Sequence, residues 1–170
     1  MTQGSQARPA SASFDGRRVL VAGAGVAGAA CVEVLLGLGA RVTLLERADG
    51  AAVARLRDAG AAVELGDVPS TMDSFDDVVV SPGFAPHTPV VRAAVARGRP
   101  VYSEPELAWR LRGEDAPPWL AVTGTNGKTT TTTMLATILR AAGRRTAALG
   151  NIGEPLVHAA LAPDLSLIHI

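Results

Sequence analysis

A single cysteine, Cys31, is all the thiol this chain carries, which excludes an internal disulfide framework and leaves a structural zinc site without its usual ligands. A reducing compartment, the cytoplasm, is the expected setting. Net charge is missing too: sixteen basic residues balance sixteen acidic ones, so no global field draws in nucleic acid or an anionic membrane, and any bound phosphate must be held locally. Lysine is nearly absent. Fifteen of the sixteen basic residues are Arg and the other is Lys128, an ammonium whose shape and hydration no guanidinium reproduces. There is also no apolar run long enough to span a bilayer. Arg17-Arg18 followed by VLVAGAGVAGAAC has the outline of a cleavable leader ending at Cys31, but glycines stud it, and Glu33 interrupts it short of the ~18 apolar residues that a spanning helix needs.

What is present suits a buried core. Hydrophobic residues make up 48% of 170, charged ones 19%, and mean hydropathy is +0.24, too apolar for a disordered chain. The first twelve residues, MTQGSQARPASA, are small and polar, and residues 1–14 are expected to form a loose tail. From Arg17 onward, short β-rich runs (RRVLVAG, RVTLLE, AAVEL, DDVVVSP, RPVYS) alternate with helical runs near Ala27–Leu38, Ala51–Ala59 and Pro89–Arg97. Strand and helix alternating at this spacing predict an α/β fold, a parallel sheet with helices on its faces, over residues 15–112. GEDAPP, residues 113–118, reads as a linker. A second α/β unit is predicted over 119–164: the strand WLAVTG, a glycine turn, a helix near Lys128–Ala142 and the strand RTAALG. One such unit cannot cover both faces of a parallel sheet, so the expectation is a domain cut short. The terminal LSLIHI lacks the Ala/Arg/Gly bias of the rest and reads like a translated sequencing adaptor, so residues 165–170 are expected to be a non-native tail.

Three motifs carry chemistry. Gly23-Ala24-Gly25-Val26-Ala27-Gly28 is a G-x-G-x-x-G that follows the first strand and opens the first helix, where glycines let the backbone approach a ligand whose negative charge meets exposed helix amides. Glu46 ends the second strand, where an acidic side chain accepts hydrogen bonds from a ribose or base. The same turn could simply pack helix against strand. Ser81-Pro82-Gly83, at the carboxyl end of DDVVV, is either a phosphate-facing turn or an ordinary strand ending. Thr123-Gly124-Thr125-Asn126-Gly127-Lys128-Thr129-Thr130 departs from the strict phosphate-loop pattern only in having Val122 in place of a glycine. Its mechanics are complete: glycines wrap the loop, helix-start amides face the phosphates, Lys128 adds a mobile charge, and the Thr129 hydroxyl can ligate Mg²⁺. A lysine at a helix start otherwise opposes the dipole.

TGTNGKTT after WLAV resembles the ATP loop of the Mur ligases, which add amino acids to the peptide stem of bacterial peptidoglycan precursors. GAGVAG, VVVSPGF, RPVYSEPELAW and Gly150-Asn151-Ile152-Gly153 are similar to the branch that adds D-glutamate, and the likeness runs from Asp15 to Asp164. The L-alanine-adding branch usually has His where Asn126 stands. The resemblance implies a Rossmann-like N-terminal domain followed by the start of a P-loop central domain. It also implies an ATP-dependent amide-bond ligase, acting as a monomer through an acyl phosphate, on UDP-N-acetylmuramoyl-L-alanine and D-glutamate. By the same resemblance Gly25, Val26, Ala27, Gly28, Glu46, Arg47, Gly83 and Asn151 hold the UDP-linked substrate. Thr125, Asn126, Gly127, Lys128, Thr129 and Thr130 hold ATP, with Lys128 as the catalytic cation and Thr129 on Mg²⁺. The second magnesium ligand, a modified lysine and the amino-acid-binding domain would lie beyond Asp164, so the chain alone is expected to be inactive.

The rival reading is an NAD(P)-binding oxidoreductase or regulatory module, against which a second phosphate loop counts. A folate polyglutamylating enzyme usually opens with its ATP domain, which the long stretch ahead of the loop contradicts. His87, His158 and His169 show no metal-ligand spacing with Cys31 and are expected at surfaces or turns, as are Glu154 and Asp164. Trp109 and Trp119 flank the linker and are expected to pack the two units together.

Overall fold

The computed structural model describes residues 13–113, 116, 118–150, 154–161 and 166–169. The first unit is an open five-stranded sheet of β1 (Arg18–Ala22), β2 (Arg41–Glu46), β3 (Ala62–Leu65), β4 (Asp77–Val80) and β5 (Val101–Ser103), ordered β3-β2-β1-β4-β5. Every pairing in it is parallel. The order reverses between β1 and β4, which opens a crevice above their carboxyl ends. The fold is Rossmann-like α/β, and each strand falls on a run that the alternation predicts.

Burial on both faces explains those apolar runs. In β1, Val19 and Val21 join the core beneath α1 (Val26–Gly37), α2 (Ala51–Asp58) and α4 (Glu104–Arg110), while Leu20 and Ala22 face the opposite layer. That layer holds Met72, Phe75 and, from α3 (Pro89–Ala96), Val90, Val91 and Ala94. Full burial of a side chain such as Leu20 contributes about 1.5–3 kcal/mol. Helix α4 lies in a segment the sequence left unassigned between β5 and the linker. Glu104 and Glu106 in its first turn and Arg110 in its last suit the helix dipole.

Charges at the amino ends of the strands tie β1 to β4, away from the crevice. Arg17 Nε donates to Asp77 Oδ2 at 2.8 Å, and Arg18 Nη2 to Asp76 Oδ1 at 2.8 Å. The Arg18 side chain and backbone amide hold the Asp76 carboxyl down at about 2, from an ordinary value of 3.8. Because the folded-state value is depressed, this contribution is present above pH ~4 and is lost as pH falls through about 2.

The second unit is a three-stranded parallel sheet, β6 (Trp119–Ala121), β7 (Thr146–Leu149) and β8 (Ser166–His169), ordered β6-β8-β7, with α5 (Lys128–Ala141) and α6 (Leu156–Ala160). Residues 166–169, within the segment expected to be an added tail, thus supply the middle strand. The two units touch. Trp109 and Trp119 meet edge to face at 5.5 Å, as anticipated, and the Arg112 guanidinium lies 4.4 Å and 5.0 Å from the two ring centres. Leu149, Leu156 and Val157 enter the core formed by α1 and α4.

Gly28 sets how closely α1 can approach β1. A Cβ there would run into the Gly23 carbonyl oxygen, whereas one at Gly37, on the same helix, would meet nothing. Gly28→Ala should therefore destabilise the chain by about 1–3 kcal/mol, as overpacking does. Gly37→Ala should be neutral or stabilising by up to ~1 kcal/mol. Urea midpoints of the two variants check this; equal midpoints would contradict it.

Candidate functional site

Two loops at the carboxyl ends of β1 and β4 interlock. Gly23 turns with φ 99°, and its amide donates to the Leu45 carbonyl at 2.9 Å. A Cβ on Gly23 would sit 2.6 Å from Ser81 Oγ, which donates to the Ala22 carbonyl at 3.1 Å. The first intrahelical bond of α1 runs from Ala29 N to Gly25 O, at 2.8 Å, so the amides of Val26, Ala27 and Gly28 are the unpaired first-turn donors. No side chain caps them.

Above this junction lies a cleft of about 370 Å³ lined by Gly23, Gly25, Leu45, Glu46, Arg47, Gly66, Asp67, Ser81, Gly83, Phe84, Thr88, Pro89 and Val90. Of the substrate residues expected from sequence, the structure brings together Gly25, Glu46, Arg47 and Gly83. Val26, Ala27 and Gly28 do not line the walls; Val26 is exposed at the rim, and Gly28 is buried against Gly23. Gly28 therefore acts through packing. Asn151 lies outside the described residues.

The charges in the cleft are specific. Glu46 Oε2 accepts the Ala24 amide at 2.7 Å and Oε1 accepts the Arg47 amide at 2.9 Å, so the carboxylate clamps the glycine loop to β2. Arg47 Nε donates to Asp67 Oδ1 at 2.8 Å, an exposed pair at the mouth. Two carboxylates beside one guanidinium accept from hydroxyls or ring N–H groups. The glycine turns and the start of α3 offer backbone donors to an anion. Asp67, Phe84 and Thr88 were missed in the sequence. Asp67 follows β3 closely and Thr88 precedes a Pro at a helix start, so position at a strand's carboxyl end was the usable signal.

The second site is the loop between β6 and α5. Gly127 is the N-cap of α5 in the left-handed region, φ 73°, and Gly124 has φ 153°. A side chain at either position would strain the turn. Residues 123–127, Thr129 and Thr130 are exposed, and Lys128 Nζ donates to the Gly124 carbonyl at 2.7 Å, so the ammonium arches over the loop. Intrahelical bonding starts at Thr131 N to Gly127 O, 2.9 Å, leaving the amides of 128–130 facing outward as donors. Thr133 and Thr137 return their hydroxyls to the carbonyls of Thr129 and Thr133, as helix-face residues do. Among the described residues no cluster of three His, Cys, Asp or Glu could hold a metal, so protein carboxylates supply no cage. The donor set here, threonine hydroxyls such as that of Thr129 beside free amides and an ammonium, fits a cation carried in on phosphate oxygens.

A glycine turn beside a cleft, followed by a second glycine turn that opens α5, is laid out over two domains, and this chain belongs to the Mur ligase family. Residues 17–103 match the MurD-like N-terminal domain of Mur ligases, and residues 122–164 match the Mur ligase middle domain. Among curated relatives, the UDP-N-acetylmuramoylalanine--D-glutamate ligase of Thermobifida fusca is 51% identical over 156 residues, 88% of this chain and 33% of that protein. The ligase of the same name from Streptomyces avermitilis is 49% identical over 156 residues, 89% of this chain and 33% of that protein. The chain thus spans about a third of the length of these relatives. Its fold is shared with the crystal structure of a murein peptide ligase from Psychrobacter arcticus, with TM-score 0.53, 23% identity, and coverage of 91% of this chain and 37% of that one.

Lys128 touches only the Gly124 carbonyl among its described hydrogen bonds, so Lys128→Met should leave the unfolding midpoint unchanged. If the loop holds Mg-ATP, the same change should weaken that binding by about 10–100-fold, the worth of a charge-assisted hydrogen bond. Calorimetric titration measures this; unchanged affinity would contradict the assignment.

Proposed function

We propose that this chain carries the UDP-substrate cleft and the ATP loop of a cytoplasmic ligase that joins D-glutamate to UDP-N-acetylmuramoyl-L-alanine, using ATP and Mg²⁺. The observation that carries the reading is two separate glycine turns, each opening a helix whose first-turn amides are unpaired, only one of which has a lysine. The names of its relatives support the choice of substrate.

In this reading the cleft holds the uridine diphosphate. Glu46 and Arg47 face the nucleoside, and the turns at Gly25 and Gly83 offer backbone donors to the diphosphate. At the second loop, residues 125–130 grip the triphosphate, Lys128 neutralises its growing charge, and the Thr129 hydroxyl would hold Mg²⁺. ATP supplies the phosphoryl group that activates the alanine carboxylate for attack by the amine of D-glutamate. A carboxylate approaching a triphosphate is repelled, so positioning and fixed positive charge supply most of the assistance such a step needs. Among the described residues no helix is long and apolar enough to cross a membrane. The chain is proposed to act as a monomer.

Binding specificity tests this reading. Titrated calorimetrically, the 170-residue chain should take up UDP-N-acetylmuramoyl-L-alanine and ignore NADH. Glu46→Ala should weaken the former by about tenfold or more, since it unclamps the loop as well as removing an acceptor. Uptake of NADH with no response to the UDP-sugar would replace the proposal with a dinucleotide-binding module.

A further inference from the structure

Helix α6 begins with a problem that its own sequence does not solve. Its N-cap is Pro155, which has no side-chain acceptor, and no local side chain caps it. Leu156 and Val157, at its start, are fully buried, so their amides cannot turn to water. The partner comes from the other unit: Glu104, the first residue of α4, places Oε1 2.6 Å from the Val157 amide, which donates to it.

Glu104 is itself 4% exposed. Burial pushes its carboxyl above the usual range, and the Val157 and Leu156 amides with His158 oppose that rise. The groups around it are few. Cys31 of α1 is near enough to feel its charge, and His158 of α6 lies 3.9 Å from Glu33 of α1, which pairs with Arg55 of α2 at 3.2 Å. If this position only filled space, an apolar residue would serve without the desolvation that a buried carboxylate incurs. The neighbouring core residues Leu107, Ala108 and Leu156 are of that apolar kind.

We infer that Glu104 is a positioning residue that latches the ATP-loop unit onto the substrate-binding unit by capping α6 from α4. It works alongside the Trp109–Arg112–Trp119 stack, which joins the same two units through rings and a guanidinium. The stack joins residues ten apart in sequence, whereas the Glu104 contact spans 53 residues and holds the start of α6. The latch's use in ligation rests on the function proposed above; its existence does not.

Hydrogen exchange of the 170-residue chain without ligand separates capping from filling. Glu104→Met keeps the volume and removes the acceptor, while Glu104→Gln keeps an acceptor oxygen. In Glu104→Met the amides of Leu156–Ala160 should exchange at least about tenfold faster while those of β1 and β4 hold, and Glu104→Gln should restore most of the protection. Unchanged protection of α6 in Glu104→Met would overturn the inference. So would a loss spread equally over β1, β4 and α6 in either variant, or a Glu104→Gln variant no better than Met. Because no nucleotide is present, failure here leaves the UDP-sugar titration untouched, and failure of that titration leaves this result standing.

Discussion

The crevice of the first unit depends on a hydrogen atom at Gly28 meeting the carbonyl of Gly23. That contact lets α1 approach β1 closely, so that the glycine turn before it, with Gly23 and Gly25 on the wall, stands at the crevice where the sheet order reverses. Ser81 packs into the same turn from β4, so the glycine loop and the Ser-Pro-Gly loop are one structure built from two strands. Glu46 closes the third side by taking the Ala24 amide. The cleft is thus fixed before any ligand enters, which lowers the ordering cost of binding.

The two glycine loops differ in their electrostatics. The cleft has no cation of its own beyond Arg47, and that guanidinium is engaged by Asp67. Neutral backbone donors and carboxylates suit a diphosphate joined to a hydroxyl-rich nucleoside, which needs holding and no chemistry. The loop before α5 has exposed amides, a hydroxyl and the chain's one ammonium, and these suit a phosphate that must be attacked. A chain that uses arginine for all its other basic positions keeps lysine where a compact, mobile charge is wanted.

Most of the fold was legible because parallel strands buried on both faces leave continuous apolar runs, and every such run from RVLVA to VYS became a strand. Helices α4 and α6 were not, for a shared reason: α4 is short with a Pro in its first turn, α6 is shorter still, and each is held by contacts remote in sequence. Residues 166–169 were set aside on composition, yet their backbone pairs between β6 and β7. At the site, Glu46, Arg47, Gly25 and Gly83 could be placed because strand ends mark the crevice. Gly28 was read as a ligand contact because its spacing is the same whether a glycine touches a ligand or a helix touches a strand. Asp67 belongs to no motif, and Phe84 closes VVVSPGF with no role assigned to it there; the folded chain brings both to the wall.

The central claim is that two separate sites take two different phosphates. Amide chemical-shift mapping of the chain with each ligand in turn tests it directly. UDP-N-acetylmuramoyl-L-alanine should move the resonances of Gly25, Glu46, Arg47 and Gly83, and Mg-ATP those of residues 124–130, as two disjoint sets. Both nucleotides moving one common set, or Mg-ATP moving the cleft and leaving the Lys128 loop unchanged, would contradict the account.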